Sequence, residues 1–325
     1  AIASLSAAIA VLLAAYAIKT QSFILFTLSA AMFGVNAAFS QQYRYAAAES
    51  VNQELISRSI SLILLGAIGG AILGPELVTR GQFWINDIQY AGTLISLALL
   101  FVIQAILLLS LGDFSITEEG DGKTSGRKLS IISKQRVFIM AVLGGTVAYG
   151  SMTFIMTATP LSMHVIDGYS IEETANVIRS HVLAMYIPSL ISGFLIEKYG
   201  LNKIMSLGVI GLLGASLAGM SGTSVFMYWL ALVLLGIGWN SLYVGGTTML
   251  TYTYKPNERF KAQGLNEFFV FGISAFGSLL AGTIMYKFGW FVLVIIPIPF
   301  LLMIGVGLIV TNREVSSLVL KKDSI

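Results

Sequence analysis

Residues 225–249 read VFMYWLALVLLGIGWNSLYVGGTTM, twenty-five positions without one charged side chain. A helix of that length reaches past the roughly 30 Å hydrocarbon core of a bilayer. Inside such a slab, backbone N–H and C=O groups find partners only within a helix or a closed barrel. A membrane strand would alternate apolar and polar residues over about ten positions. This run does not alternate, so a membrane helix is expected. The same kind of run recurs at 1–17, 21–40, 59–79, 88–111, 137–159, 177–196, 204–220, 265–285 and 290–311, giving ten in all. The fold class that follows is all-α, a polytopic transmembrane helical bundle.

Composition agrees. Of 325 residues, 56% are hydrophobic and 11% charged, and the mean hydropathy is +0.84. A soluble domain carries about 25% charged residues, so this chain cannot cover a water-facing surface of its size. A soluble enzyme, a nucleic-acid-binding domain and a disordered chain are excluded. The net charge of +3 is too small to hold nucleic acid. Cysteine is absent, which removes disulfides and thiolate metal sites. His164 and His181 stand too far apart for a local metal motif, and no metal or cofactor is expected. No phosphate-binding loop signature is present, which argues against an ATP-driven pump.

The nineteen Lys and Arg fall unevenly between the runs. Fifteen lie on one side: Arg44, Arg58, Lys123, Arg127, Lys128, Lys134, Arg136, Lys198, Lys203, Lys255, Arg259, Lys261, Arg313, Lys321 and Lys322. Lys19, Arg80, Arg179 and Lys287 lie on the other. Positive charge marks the cytoplasmic side, so both ends of this chain are expected in the cytoplasm. The longest polar stretch, 113–136, holds nine charged residues and three glycines and reads as a cytoplasmic linker.

Four runs precede the linker and six follow it, and an internal repeat bears on that imbalance. Asn36 matches Asn240, Arg58 matches Lys261, Gly69 matches Gly272 and Gly74 matches Gly277, at offsets of 203 or 204. This pairs the second run with the eighth and the third with the ninth, and leaves the fifth and sixth without partners. The chain begins at Ala1, without Met, inside an apolar run. A bundle lacking about two N-terminal helices, roughly 60–80 residues, is expected. The division is then 1–112 for the remainder of an N-terminal half (helices 3–6 of 12), 113–136 for the linker and 137–325 for a six-helix C-terminal half.

Two such halves joined by a polar linker resemble the major facilitator superfamily of secondary transporters. The stretch Gly193-Phe-Leu195-Ile-Glu197-Lys198-Tyr-Gly200-Leu-Asn-Lys203 is similar to that family's loop motif G-x-L-x-D-R-x-G-R-R-R. Glu replaces Asp, Lys replaces Arg, and Leu201 and Asn202 replace two bases. The resemblance implies that this loop follows helix eight and works as a cytoplasmic gate, with Glu197 set against the third run near Arg58. Physically, a carboxylate suits the positive N-terminus of a neighbouring helix; an ordinary charged anchor loop would read the same way. Gly70-x-x-x-Gly74-Pro75 resembles half of a signature of drug:proton antiporters, and simple packing of small residues between helices explains it equally well. The runs 157–164 and 175–189, around His164 and His181, look like bacterial members of the superfamily, the riboflavin-uptake branch among them.

The resemblance also implies a midplane cavity. Candidates to line it are polar or aromatic residues sharing a helix face: Asn36; Tyr149, Thr153 and Met156; His181 and Met185; Trp239, Asn240 and Tyr243; and Phe271. Trp84, Trp229 and Trp290 fall where membrane-interface tryptophans are usual, whereas Trp239 is mid-run. Each stripe is equally readable as helix–helix packing. Glu267 is the one carboxylate clearly inside a run, and such groups are usually functional. It would carry a proton or pair with Lys261 or Arg259. His181 would titrate near neutral pH or stay neutral and hydrogen-bonded.

The expected activity is secondary transport of a small organic solute by alternating access in the bacterial inner membrane, not catalysis. The partners are the lipid bilayer, the solute and, as an open point, protons; a monomer is expected. Efflux of amphipathic compounds is the first reading, uptake of a nutrient such as a vitamin the second, and a non-transporting membrane sensor a remote third.

Overall fold

A computed structural model describes residues 1–49, 51, 56–81, 84–85, 91–110 and 126–322. Every regular element among the described residues is helical, as long uncharged runs require in a nonpolar medium. The chain divides into two units, Ala1–Thr117 and Glu118–Ile325.

The first unit holds α1 (Ile2–Lys19), α2 (Phe23–Glu49), α3 (Ile56–Gly81) and α4 (Ala91–Ser110). Helix α1 packs on α2 and α4, and α3 packs on the same two. Small residues make the α1–α4 seam: Ala8 and Val11 meet Ala98, with Leu94, Leu97 and Phe101 around them. In lipid there is little hydrophobic drive between helices, so close van der Waals approach through small side chains holds such a seam.

The second unit begins with a short turn of helix, α5 (Leu129–Ile132), followed by α6 (Arg136–Pro160), α7 (Ile171–Tyr186), α8 (Ser189–Tyr199), α9 (Leu201–Met220), α10 (Val225–Thr251), α11 (Arg259–Ile295) and α12 (Pro297–Lys322). Its hub is α10, which packs on α6, α7 and α9. Gly238 shows how the helices come so close. A Cβ there would lie 2.7 Å from the Leu212 amide nitrogen and 2.9 Å from the Gly208 carbonyl oxygen, so only glycine fits the α9–α10 seam.

Capping sets where α7 begins. The Ser170 hydroxyl accepts from the Glu173 N–H at 3.1 Å, and the Glu173 carboxylate accepts from the Ser170 N–H at 2.9 Å. This reciprocal cap starts the helix at Ile171, well before the apolar run at 177. Gly200, at φ 89°, separates α8 from α9.

Gly289, at φ 76° and ψ 178°, interrupts α11. Before it α11 runs parallel to α6: Val270 lies by Gly145, Gly277 by Phe154 and Ser278 by Thr157. After it the direction reverses: Gly307 lies by Met140 and Glu314 by Arg136. Among the described residues, eight helical stretches are long and apolar enough to cross a membrane, the last of them Pro256–Val315. The sequence reading expects ten runs. Helix α3 is not among the eight, and the last stretch contains two antiparallel arms.

Residues 113–125 of the expected linker lie outside the described residues. The segment after them is pinned. The Arg127 guanidinium donates from Nε to Glu258 Oε1 at 2.8 Å, from Nη2 to Oε2 at 2.6 Å and from Nη2 to the Thr253 carbonyl at 3.0 Å. Glu258 also accepts from the Lys255 N–H at 2.9 Å, and its side chain has no exposed surface. The carboxylate's hydrogen bonds raise the Arg127 pKa above its ordinary value. A buried carboxylate held in this bidentate way needs its arginine, so this end of the linker is part of the second unit's structure.

Candidate functional site

Four helices of the second unit bring five aromatic rings together. Tyr149 comes from α6, Tyr186 from α7, Trp239 and Tyr243 from α10, and Phe271 from α11. Tyr149 stands at the centre, with ring centroids 5.6 Å from Trp239, 5.2 Å from Tyr243 and 5.1 Å from Phe271, each pair edge to face. Trp239 stacks on Tyr243 at 4.9 Å and meets Tyr186 edge-on at 5.8 Å. These are the geometries that ring quadrupoles favour. The positions of Trp239 and Tyr243 follow from their spacing, one helical turn apart on α10.

Trp239 and Tyr243 are buried; Tyr149, Tyr186 and Phe271 are half-buried. The Trp239 indole N–H is buried and has no partner among the described residues. The cluster thus holds half-buried rings at its margin and one buried donor for an acceptor atom.

The other expected residues are distributed differently. Thr153 and Met156 follow Tyr149 along α6 and are half-buried. His181 and Met185 are buried on the α7 face that packs on α10, beside Gly236. His181 Nδ1 lies 2.7 Å from the Leu232 carbonyl, which assigns the proton to Nδ1. Its Nε2 is buried without a partner among the described residues. Asn240 is fully buried and hydrogen-bonded to Met185, Ser189 and Ser192. Glu267 is half-buried and accepts from the Asn266 amide at 3.0 Å. Asn36 lies in α2 of the first unit, buried, its Oδ1 without a partner among the described residues.

In the loop motif, Gly193 is buried, while Glu197, Lys198 and Lys203 are exposed. Lys198 lies 5.8 Å from the Phe194 ring and 5.3 Å from the Tyr199 ring, a cation–π arrangement. Asn202, which stands where the family motif has a base, donates to Asn312 of α12 at 2.9 Å. The side chains of Arg58 and Pro75 lie outside the described residues. Around Gly70 and Gly74 of α3, among the described residues, nothing lies within 4 Å of where a Cβ would stand.

Sequence reasoning missed Tyr186 and the bonding of Ser189; the available signal for Ser189 was its place directly after Pro188, where a helix lacks a backbone donor. Trp290 has a structural partner as well. It is buried and donates to the Gly219 carbonyl at 3.0 Å, tying the second arm of α11 to the end of α9.

A family model described as Major Facilitator Superfamily matches residues 141–324. The riboflavin transporter RfnT of Brucella anthropi is 37% identical over 255 residues, which is 78% of this chain and 64% of the relative. The uncharacterized MFS-type transporter YddS of Bacillus subtilis is 31% identical over 265 residues, 76% of this chain and 60% of the relative. The chain thus spans less than two thirds of the length of these curated relatives. Among solved structures, the fucose:proton symporter FucP of E. coli superposes with a TM-score of 0.67 at 15% identity, over 94% of this chain and 82% of that one. A bacterial homologue of the iron transporter ferroportin, in an outward-facing state, gives 0.65 at 14% identity, over 97% of this chain and 82% of that one. Together with the apolar helices, these similarities make this a multi-pass membrane protein.

Proposed function

The chain belongs to the major facilitator superfamily, and on that premise we propose that it serves secondary transport of a small, planar, aromatic solute by alternating access. The observation that carries the proposal is the five-ring cluster around Tyr149. Ring faces, a buried Trp N–H and little charge suit a flat heterocycle that presents acceptor atoms at its edge. Riboflavin, which the relative's name specifies, has such a ring system.

The test is flux of labelled riboflavin into proteoliposomes holding the full-length protein. Trp239→Ala should abolish most of it when equal amounts of inserted protein are compared. Equal flux in that variant removes the cluster from the pathway, and no flux with the unaltered protein removes riboflavin. A second reading, export of amphipathic compounds, rests on the partial glycine–proline signature at Gly70, Gly74 and Pro75. Drug accumulation in cells with and without the gene separates the two.

The remaining parts of the proposal come from the sequence. They are ten crossings, a linker at 113–136 between the two halves, and both ends of this chain on the cytoplasmic face of the inner membrane. The protein works as a monomer without a cofactor. Glu197 and Lys198 work at a cytoplasmic gate facing Arg58, and Glu267 is the candidate proton carrier. Asn36, Thr153, Met156, His181 and Met185 are secondary candidates for solute contact.

A further inference from the structure

The crossing that runs from Ile171 to Tyr199 is interrupted at Pro188, between α7 and α8. Proline has no N–H, so the Ala184 carbonyl loses its usual donor four residues on. Past the break the bonds tighten: the Leu190 N–H donates to the Ile187 carbonyl at 3.1 Å, and the Ile191 N–H to the Pro188 carbonyl at 3.0 Å. Carbonyls freed at such a point cannot turn to water in a bilayer and need a partner from another element.

Asn240 of α10 supplies a donor at the next carbonyl, that of Met185. Its Nδ2 donates to the Met185 carbonyl at 2.7 Å and to Ser189 Oγ at 2.5 Å. Its Oδ1 accepts from Ser192 Oγ at 2.6 Å, and that hydroxyl also lies 2.8 Å from the Pro188 carbonyl. Asn240, Ser189 and Ser192 are all buried. One amide therefore grips both sides of the break: Met185 on α7, and Ser189 and Ser192 on α8.

The adjacent residues face the aromatic cluster. Trp239, next to Asn240, touches Tyr186, next to Met185. Two neighbouring pairs thus do two jobs. Trp239 and Tyr186 present rings, while Asn240 and Met185 hold the break. A solute that shifts Trp239 or Tyr186 pulls on a hydrogen bond one residue away. On the far side of the break, α8 is a short arm that ends in Glu197, Lys198 and Tyr199 before the turn at Gly200. The buried bonds of the latch depend on one another, because loss of one strands the partners of the rest. Such a group switches between discrete arrangements and does not loosen gradually.

We propose that Asn240 is a positioning residue: its amide latches the break at Pro188 and couples occupancy of the aromatic cluster to movement of the α8 arm. The proposal deepens the transport reading and rests on it for the solute's part. Its alternative is that the amide is static packing.

The chain has no cysteine, so a Tyr199→Cys reporter at the exposed end of α8 can be read in the full-length protein once any cysteine elsewhere in it is replaced. The measurement is the rate of thiol labelling in proteoliposomes, with and without riboflavin, in the unaltered, Asn240→Asp and Ser192→Ala backgrounds. Asp keeps the shape of Asn, but as the neutral carboxyl group that burial favours it has one donor in place of two, so the Met185 carbonyl and Ser189 Oγ cannot both be served. Asn240→Asp should change the solute-free labelling rate by about tenfold, the scale of one lost buried hydrogen bond, and Ser192→Ala should change it less. Riboflavin should alter labelling in the unaltered background and not in Asn240→Asp. Turnover in Asn240→Asp should fall about tenfold while the half-saturation concentration moves by less than about twofold.

Equal solute-free rates in all backgrounds overturn the latch, whatever the solute. If Asn240→Asp shifts the solute-free rate but riboflavin is neither carried nor felt, the latch stands and the solute reading falls. If Asn240→Asp does not insert, Ser192→Ala decides by the same comparison, and a rate equal to the unaltered protein's overturns the proposal.

Discussion

The sequence repeat sets α2 against α10, Gly34 and Asn36 of one answering Gly238 and Asn240 of the other. The letters match and the surroundings do not. A Cβ on Gly238 would run into the α9 backbone, whereas among the described residues nothing lies within 4 Å of one on Gly34. Asn240 bonds to three partners on a broken helix, whereas Asn36 is buried with its Oδ1 unpartnered among the described residues. A repeated motif fixes where a residue sits along its helix. What that residue is worth depends on how many helices close around it: α10 packs on α6, α7 and α9, and α2 on α1 and α3.

The contrast between the units extends to ion pairs, where the largest effect is expected. Glu258 is fully buried beside Arg127, while Glu76 and Arg80, 2.9 Å apart on α3, are both exposed. Arg127→Ala leaves a buried carboxylate uncompensated and should cost about 3–5 kcal/mol. Arg80→Ala should cost less than about 0.5 kcal/mol. Denaturant unfolding of the full-length protein in detergent measures both; similar losses would show that the buried pair carries no special weight.

Next in size is the glycine pair. Gly238→Leu must push α9 and α10 apart and should cost about 3 kcal/mol. Gly34→Leu should stay within about 0.5 kcal/mol of the unaltered protein, as an exposed change away from special features does. A costly Gly34→Leu would mean that α2 is as closely surrounded as α10. The asparagines follow. Asn240→Leu strands the Met185 carbonyl and should cost about 2 kcal/mol. Asn36→Leu removes a buried acceptor that lacks a donor among the described residues and should stabilise by up to about 1 kcal/mol. If both replacements destabilise alike, Asn36 has a partner of equal worth.

The helices were legible because lipid allows the backbone so few solutions: an uncharged run such as 225–249 has to be helical. Four of the five clustered rings, Tyr149, Trp239, Tyr243 and Phe271, were legible as mid-run aromatics on helix faces. Tyr186 was not. It stands next to Met185 and off the face that His181 and Met185 share, and nothing in the spacing shows that the α10 rings reach round to it. The bond between Arg127 and Glu258 was not legible either, because it joins residues 131 positions apart and each alone reads as a loop charge. The same limit explains why Asn240 read as a solute contact: spacing places the amide inside the bundle, and only the neighbouring helix shows what it holds.

The smallest effects should come from the one repeat pair whose surroundings agree. Among the described residues, Gly69 on α3 and Gly272 on α11 both have nothing within 4 Å of a Cβ, and both sit inside helices. Glycine there costs backbone entropy and returns no close approach. Gly69→Ala and Gly272→Ala should each stabilise by about 0.5–1 kcal/mol, and Gly70→Ala should do the same on the neighbouring face of α3. Equal gains at 69 and 272 would tie the contrast between Gly34 and Gly238 to packing density and not to a general difference between the units. A loss at Gly69 or Gly70 would instead mean that α3 meets a close neighbour in the membrane, and would return the glycine motif to the seam between helices where its spacing first suggested it belonged.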